Sequence, residues 1–205
     1  MKKRWLRYSL FVCFSLLLSA CKQATTSSST KEVYDIEKVN EVETLIDNLP
    51  SPSTNNQVVL SIFSAQDAYE DLSEKEKEMV ENYTQLESYV NQIYTLVSID
   101  GTYSSKYDVA LYIFLYDDLP CNYITKDEAN ALGWNGGNLW VYANGKSIGG
   151  DRFYNREGLL PNGVYYECDI NYHGGSRNAL RMVYSLSLDT IYYTENHYNS
   201  FEQLY

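Results

Sequence analysis

Between residues 35 and 98 apolar positions recur at three- and four-residue steps, the spacing of helices that bury one face. Val39, Val42, Leu45, Ile46 and Leu49 make the first stripe, which ends at Leu49-Pro50-Ser51-Pro52. Ala65, Ala68, Tyr69 and Leu72 predict a short second helix from Ser64. Ser73 and Glu76 form an S-x-x-E capping box, in which each side chain satisfies a free N–H at a helix start. Met79, Val80, Tyr83, Leu86, Tyr89, Val90, Ile93, Tyr94 and Val97 then predict one long third helix. Three such stripes predict a small helical bundle over 35–98. The turn-rich stretch 98–106, with Asp100-Gly101-Thr102 and Ser104-Ser105, places a domain border near residue 103.

The pattern then changes. Val109, Ala110, Tyr112, Ile113 and Tyr116 share a helical face that stops at Leu119-Pro120. A second capping box, Thr125 with Glu128, opens a helix ending at Gly133 and sets Lys126 in its first turn. Gly136-Gly137, Asn144-Gly145, Gly149-Gly150, Asn162-Gly163 and Gly174-Gly175 follow, with Tyr, Ile and Val between them. Turns this frequent describe antiparallel strands. Helices first and strands after predict an α+β fold.

Strand side chains alternate between faces. Over 164–172 this puts Val164, Tyr166, Cys168, Ile170 and Tyr172 on an apolar face against the helices. Tyr165, Glu167, Asp169 and Asn171 fall on an open, polar face. Arg181 and Val183 share that open face in the next strand, Arg177 lies in the loop before it, and His197 begins the final strand. Period and turn positions thus allow one shallow acidic-basic patch on the sheet, with charged groups suited to phosphodiester cleavage. Pattern alone leaves a solvated surface patch as the alternative.

The two ends change the picture. Lys2, Lys3, Arg4 and Arg7 precede an apolar run over 10–18 that is too short to span a bilayer. Leu18-Ser19-Ala20-Cys21 then resembles a bacterial lipobox, so residues 1–20 are expected to be a lipoprotein signal and Cys21 a lipidated N-terminus. Residues 21–34 read as a Ser/Thr-rich tether. The expected location is the outer face of the cytoplasmic membrane. The formal charge of −11 excludes nucleic-acid affinity through bulk charge, so an anionic substrate needs a local basic site. An extracytoplasmic location permits a Cys121–Cys168 disulfide, with two free thiols as the alternative. Metal-ligand spacing of Cys and His is absent, so no metal or other cofactor is expected.

Long stretches of the second half resemble one family. They include Asn122-Tyr123-Ile124-Thr125-Lys126, Ala131-Leu132-Gly133-Trp134 and 145–151, Gly-Lys-Ser-Ile-Gly-Gly-Asp. Asn155-Arg156-Glu157-Gly158, Asp169-Ile170-Asn171-Tyr172, Arg177-Asn178, Arg181, Tyr184-Ser185 and His197-Tyr198 continue the match. Residues 106–205 are similar to the microbial guanyl-specific, barnase-like ribonucleases. The segment Tyr69-Glu70-Asp71-Leu72-Ser73 through Leu86 loosely resembles a helical spacer or interaction module of Gram-positive surface proteins.

The ribonuclease resemblance implies a barnase-like domain over 103–205, with helices packed on an antiparallel sheet. It implies metal-independent cleavage of single-stranded RNA after guanine, giving a 2′,3′-cyclic phosphate. Glu167 is then the general base and His197 the general acid, which needs an ionised carboxylate and a protonated imidazole at one pH. Arg177, Arg181 and Lys126 clamp the phosphate, a task suited to the planar guanidinium fork. Glu157 accepts guanine N1–H and N2–H within the loop Phe153, Tyr154, Asn155, Arg156 and Glu157, and Tyr198 contacts the base. An acidic, barstar-like inhibitor and a toxin role come with the family. The chain departs from the family's basic character: over 107–205 six Lys/Arg stand against twelve Asp/Glu. Tyr154 and Cys168 also stand where the family has small residues. The rival reading is a non-catalytic surface lipoprotein whose ribonuclease-like head only binds RNA or protein.

Overall fold

The computed structural model describes residues 34–205, of which 35–205 form one compact unit. The lipoprotein signal, Cys21 and most of the tether lie outside the described residues. Helices precede a sheet, in the order α1 (Ile36–Asp47), α2 (Asn56–Glu70), α3 (Glu74–Lys77), α4 (Tyr83–Leu96) and α5 (Lys106–Tyr116). Then come β1 (Tyr123–Ile124), α6 (Lys126–Ala131), a 3-10 turn (Leu139–Val141), β2 (Ser147–Phe153), β3 (Tyr165–Asp169), β4 (Arg181–Ser185), β5 (Thr190–Thr194) and β6 (Glu202–Gln203). The six strands lie in sequence order across one sheet, antiparallel except for the parallel β1–β2 pair. This is the α+β architecture expected.

The helices differ from expectation in two places. α2 begins at Asn56 rather than Ser64, because the Asn55 side chain caps it by accepting from Gln57 N at 2.9 Å. The predicted long third helix is broken into α3 and α4. The Ser73–Glu76 capping box is present, but the chain leaves helical geometry after it. Asn82 Nδ2 donates to Glu43 O at 2.9 Å and Asp47 Oδ1 at 2.8 Å, and Glu81 N donates to Glu43 Oε1 at 2.8 Å. The break thus docks on the end of α1, and those bonds replace the helical ones given up.

Glu76 closes the same corner. Its Oε1 accepts from Asp35 N, and its Oε2 from Ser73 N and Oγ, each at 2.8 Å. These donors, the Asp35 and Ser73 backbone N–H groups first, hold its carboxyl down at about 2. A depressed folded value stabilises the fold above the ordinary carboxyl range, and that stability is lost as pH falls toward about 2. Acid titration followed by circular dichroism should therefore show the helical layer loosening across this window. In Glu76→Gln that part of the acid sensitivity should be gone.

α5 explains how the halves join. Val109 through Phe114 are six consecutive buried residues, so this helix is covered all round rather than on the single face expected. α2 and α4 lie in one shared core with α5, and Cys168, Ile170, Met182, Tyr184 and Ile191 of the sheet side belong to the same core. Phe63 meets Phe114 with ring centroids 5.6 Å apart, and Phe114 stacks on Tyr205 at 4.2 Å. Asn56 Nδ2 donates to Leu204 O at 3.0 Å. The stretch near residue 103 is a loop, pinned where Asn122 exchanges bonds with both Tyr103 N and Tyr103 O. The core runs through it without a gap, so the helical segment is packed on the sheet domain rather than standing apart as a spacer.

Gly149 marks a close approach. A Cβ there would lie 2.6 Å from Cys168 Cβ and 2.7 Å from the Tyr123 ring. Overfilling a packed site costs about 1–3 kcal/mol. Gly149→Ala should lower the thermal midpoint accordingly, as read by calorimetry. The two cysteines are both free: Cys121 is exposed and Cys168 is buried in the core. The disulfide weighed from sequence is therefore absent from the fold, and its free-thiol alternative holds.

Candidate active site

The β3 alternation is as expected, but the second face is not open. Tyr165, Val183 and Tyr192 form a small core of their own with Leu160, flanked by Phe153, Tyr198 and Phe201. Aromatic rings from the β2 end and the 195–201 loop close over that face, because its own residues are too apolar to be left in water. Arg181, expected to point outward, is only 3 % exposed.

Cross-strand register brings the charges together. Asp151 pairs with Glu167, and Asp169 pairs with Arg181. Lys126 Nζ donates to Glu167 Oε1 at 2.7 Å, while the Tyr198 hydroxyl donates to Glu167 Oε2. Lys126 is itself placed by α6, whose Thr125–Glu128 capping box is formed, and by Asp151, which accepts from its backbone N–H. Burial raises the Asp151 carboxyl above its ordinary value, against the lowering effect of Lys126. Burial, and then the bond to Glu167, push the Tyr198 phenol well up, so Tyr198 remains a neutral donor.

Arg177 and Arg181 converge on one carboxylate. Arg177 Nε and Nη2 each reach Asp169 oxygens at 2.6 Å, a bidentate fork. Arg181 Nε lies 3.0 Å from Asp169 Oδ1, close enough for an ion pair but off line for a hydrogen bond. Its Nη1 donates to the carbonyls of Asn178 and Leu180, both at 2.7 Å. Burial works against the Arg177 charge, and its bonds to Asp169 more than offset this.

His197 does not begin a strand. It is exposed in the loop between β5 and β6, with φ 55°, and Tyr198 follows at φ 72°. Two successive non-glycine residues in the left-handed region are costly, and surrounding bonds must hold them. Thr194 Oγ1 accepts from Tyr198 N at 3.0 Å, His197 N donates to Ala179 O at 3.2 Å, and Asn196 Oδ1 accepts from Ser200 N at 3.0 Å. The His197 and Tyr198 rings sit 4.7 Å apart.

Glu167, His197 and Tyr198 line one cleft of about 620 Å³ with Phe153, Tyr154, Arg156 and Glu157. Asn155 has a different part. Its amide accepts from Leu160 N at 3.1 Å and donates to Leu160 O at 2.6 Å, so it staples the 155–160 loop instead of facing the cleft.

A protein-family model described as ribonuclease matches residues 113–205. The ribonuclease of Bacillus intermedius is 43 % identical over 153 residues, which is 72 % of this chain and 90 % of that protein. The chain belongs to the barnase-like ribonuclease family. The ribonuclease of Bacillus pumilus is 47 % identical over 125 residues, 58 % of this chain and 72 % of its own. That of Heyndrickxia coagulans is 52 % identical over 101 residues, 47 % of this chain and 92 % of its own. The first alignment is longer than the region the family model matches, so likeness to a ribonuclease extends upstream into the helical half.

This ribonuclease is therefore an RNA-cleaving enzyme. Of the residues singled out from sequence, Phe153, Tyr154, Arg156, Glu157, Glu167, His197 and Tyr198 line the cleft, whereas Lys126, Arg177 and Arg181 stand behind it, bonded to Glu167 or Asp169. Sequence reasoning missed the supporting carboxylates Asp151 and Asp169 and the cleft residue Arg152. The two carboxylates had a readable signal. Asp169 falls two residues from Glu167 on the same strand face, and Asp151 precedes Phe153 by the same step.

Proposed function

We propose that this ribonuclease cleaves single-stranded RNA after guanine, by attack of the ribose 2′-OH on the adjoining phosphorus to leave a 2′,3′-cyclic phosphate. The observation that carries the reading is that Glu167 and His197 line the same cleft. Glu167 takes the 2′-OH proton. Each carboxylate oxygen has two lone-pair sites, so the bonds from Lys126 and Tyr198 leave room for a further donor. His197 delivers a proton to the departing 5′-oxygen. Arg177, Arg181 and Lys126 offset the charge that grows on the phosphoryl oxygens, with Asp169 fixing the two guanidiniums in advance of substrate. No step of this route calls for a metal.

Guanine reading rests on Glu157, which lines the cleft beside Phe153 and Tyr198. A carboxylate accepts both N1–H and N2–H of guanine, whereas adenine offers an acceptor at N1. Glu157→Gln should lower the guanine-over-adenine ratio of kcat/KM roughly tenfold or more. Paired oligoribonucleotides differing at one base measure it, and an unchanged ratio removes Glu157 from that role. Cleavage should persist in EDTA.

The same reading has the enzyme exported and held at the outer face of the cytoplasmic membrane by a lipid on Cys21. Lys2, Lys3, Arg4, the apolar run and the small-residue site before Cys21 support it. Cys21→Ser should move the protein from the membrane fraction to the medium. An exported ribonuclease acting as a toxin, checked by an acidic barstar-like inhibitor that meets the Arg177/Arg181 site, fits this placement.

A further inference from the structure

Arg152, Tyr154 and Arg156 add a basic and aromatic group to the lining of the cleft. Tyr154 is 64 % exposed. The guanidinium carbon of Arg152 lies 5.9 Å from its ring centre and that of Arg156 lies 5.8 Å away. All three line the cleft that contains Glu167 and His197. Among the described residues neither Arg152 nor Arg156 forms an ion pair. Arg177 and Arg181 are, by contrast, both engaged by Asp169. An acidic chain has abundant carboxylates to quench surface arginines, yet these two stand unquenched beside an aromatic ring left in water. The ring adds little to the fold from there. A flat apolar face edged by two free guanidiniums matches a nucleobase with its phosphate, since aromatic stacking is tolerant of base identity and arginine holds phosphate oxygens in its fork.

We propose that Arg152, Tyr154 and Arg156 form a second nucleotide subsite. A base next along the strand from the guanosine stacks on Tyr154, Arg152 holds the phosphate that joins it, and Arg156 keeps the ring in place. The preferred substrate is then an oligoribonucleotide long enough to reach this group. This rests on the RNA-cleaving cleft proposed above and adds a length requirement to it. An acidic protein surface is the weaker match, because charge alone would suffice for it and the exposed ring would have no task.

The test compares kcat/KM for a guanylyl dinucleotide with that for single-guanosine hexanucleotides extended on the 5′ or the 3′ side. It uses the purified protein and its Arg152→Ala, Tyr154→Ala and Tyr154→Trp variants. In the unsubstituted enzyme one extension should raise kcat/KM roughly tenfold or more over the dinucleotide. Arg152→Ala and Tyr154→Ala should bring that ratio close to one, and Tyr154→Trp should keep it. Arg152→Ala should also reduce the salt dependence of hexanucleotide binding by about one counterion. A ratio that survives both alanine variants overturns the subsite. Parallel loss on short and long substrates leaves the ratio unchanged and overturns it equally. The chemical assignment is judged separately, on the dinucleotide rate of Glu167→Gln, so the two ideas fail independently.

Discussion

Asp169→Ala is expected to destabilise the ribonuclease by about 3–5 kcal/mol, the cost of stranding buried charge. Asp169 is 1 % exposed and meets Arg177 through two hydrogen bonds and Arg181 through an ion pair. Without it, two guanidiniums remain close together with no carboxylate between them. Water cannot readily replace the lost carboxylate around Arg181, which is itself enclosed. For a chain of this length the thermal midpoint should fall on the order of 10 °C. Asp169→Asn keeps the shape but not the charge and should fall between the two. Calorimetry on all three proteins decides it, and a midpoint unmoved in Asp169→Ala would mean that the arginines need no counter-charge. Activity should drop with stability if the two guanidiniums hold the phosphate as proposed, because both lose their anchor.

Glu167→Gln should lower kcat by roughly 10²–10⁴-fold, the usual contribution of a positioned proton acceptor. KM should hardly move, because Glu157, Arg177 and Arg181, to which the proposal gives substrate binding, are untouched. A glutamine can still accept the Tyr198 hydroxyl bond, so the fold of the cleft should survive. The measurement is single-turnover release of cyclic phosphate from a guanosine-containing oligonucleotide. Loss confined to KM, or none at all, would remove the carboxylate from the proton transfer. His197→Gln should give a kcat loss of the same order, with the 195–200 loop held by Thr194 and Asn196 as before.

The parts of this molecule that were legible are those where one local rule decides. Both capping boxes formed where S-x-x-E and T-x-x-E stood, and period two placed Glu167 and Arg181 on one face. The single long helix after Ser73 failed because its period is real while its continuity is set elsewhere. Asn82 and Glu81 find partners in α1, about forty residues upstream, and no window along the chain contains both. The start of α2 was missed because Asn55 follows Pro52-Ser53-Thr54, in a stretch that reads as a loop. The polar face expected on the sheet proved to be half aromatic. Alternation says which face a residue joins and not whether another layer covers that face, and Tyr165 and Tyr192 are buried there beside Leu160 and Val183. His197 escaped strand geometry through a left-handed turn that period-two reasoning has no means to see.

The unbroken run of enclosed residues in α5 has a consequence for the order in which the enzyme can mature. The helices made earliest carry apolar stripes whose counterpart is this later helix, and Asn56 waits for a carbonyl 148 positions downstream. Such distant closure is slow and comes after the nearby contacts. During translation, then, the early helices have no finished partner, and the proton-exchanging cleft, built from β2 onward, takes shape only near the end. The lag leaves an interval after the early helices are made in which the growing polypeptide is not yet able to cut RNA.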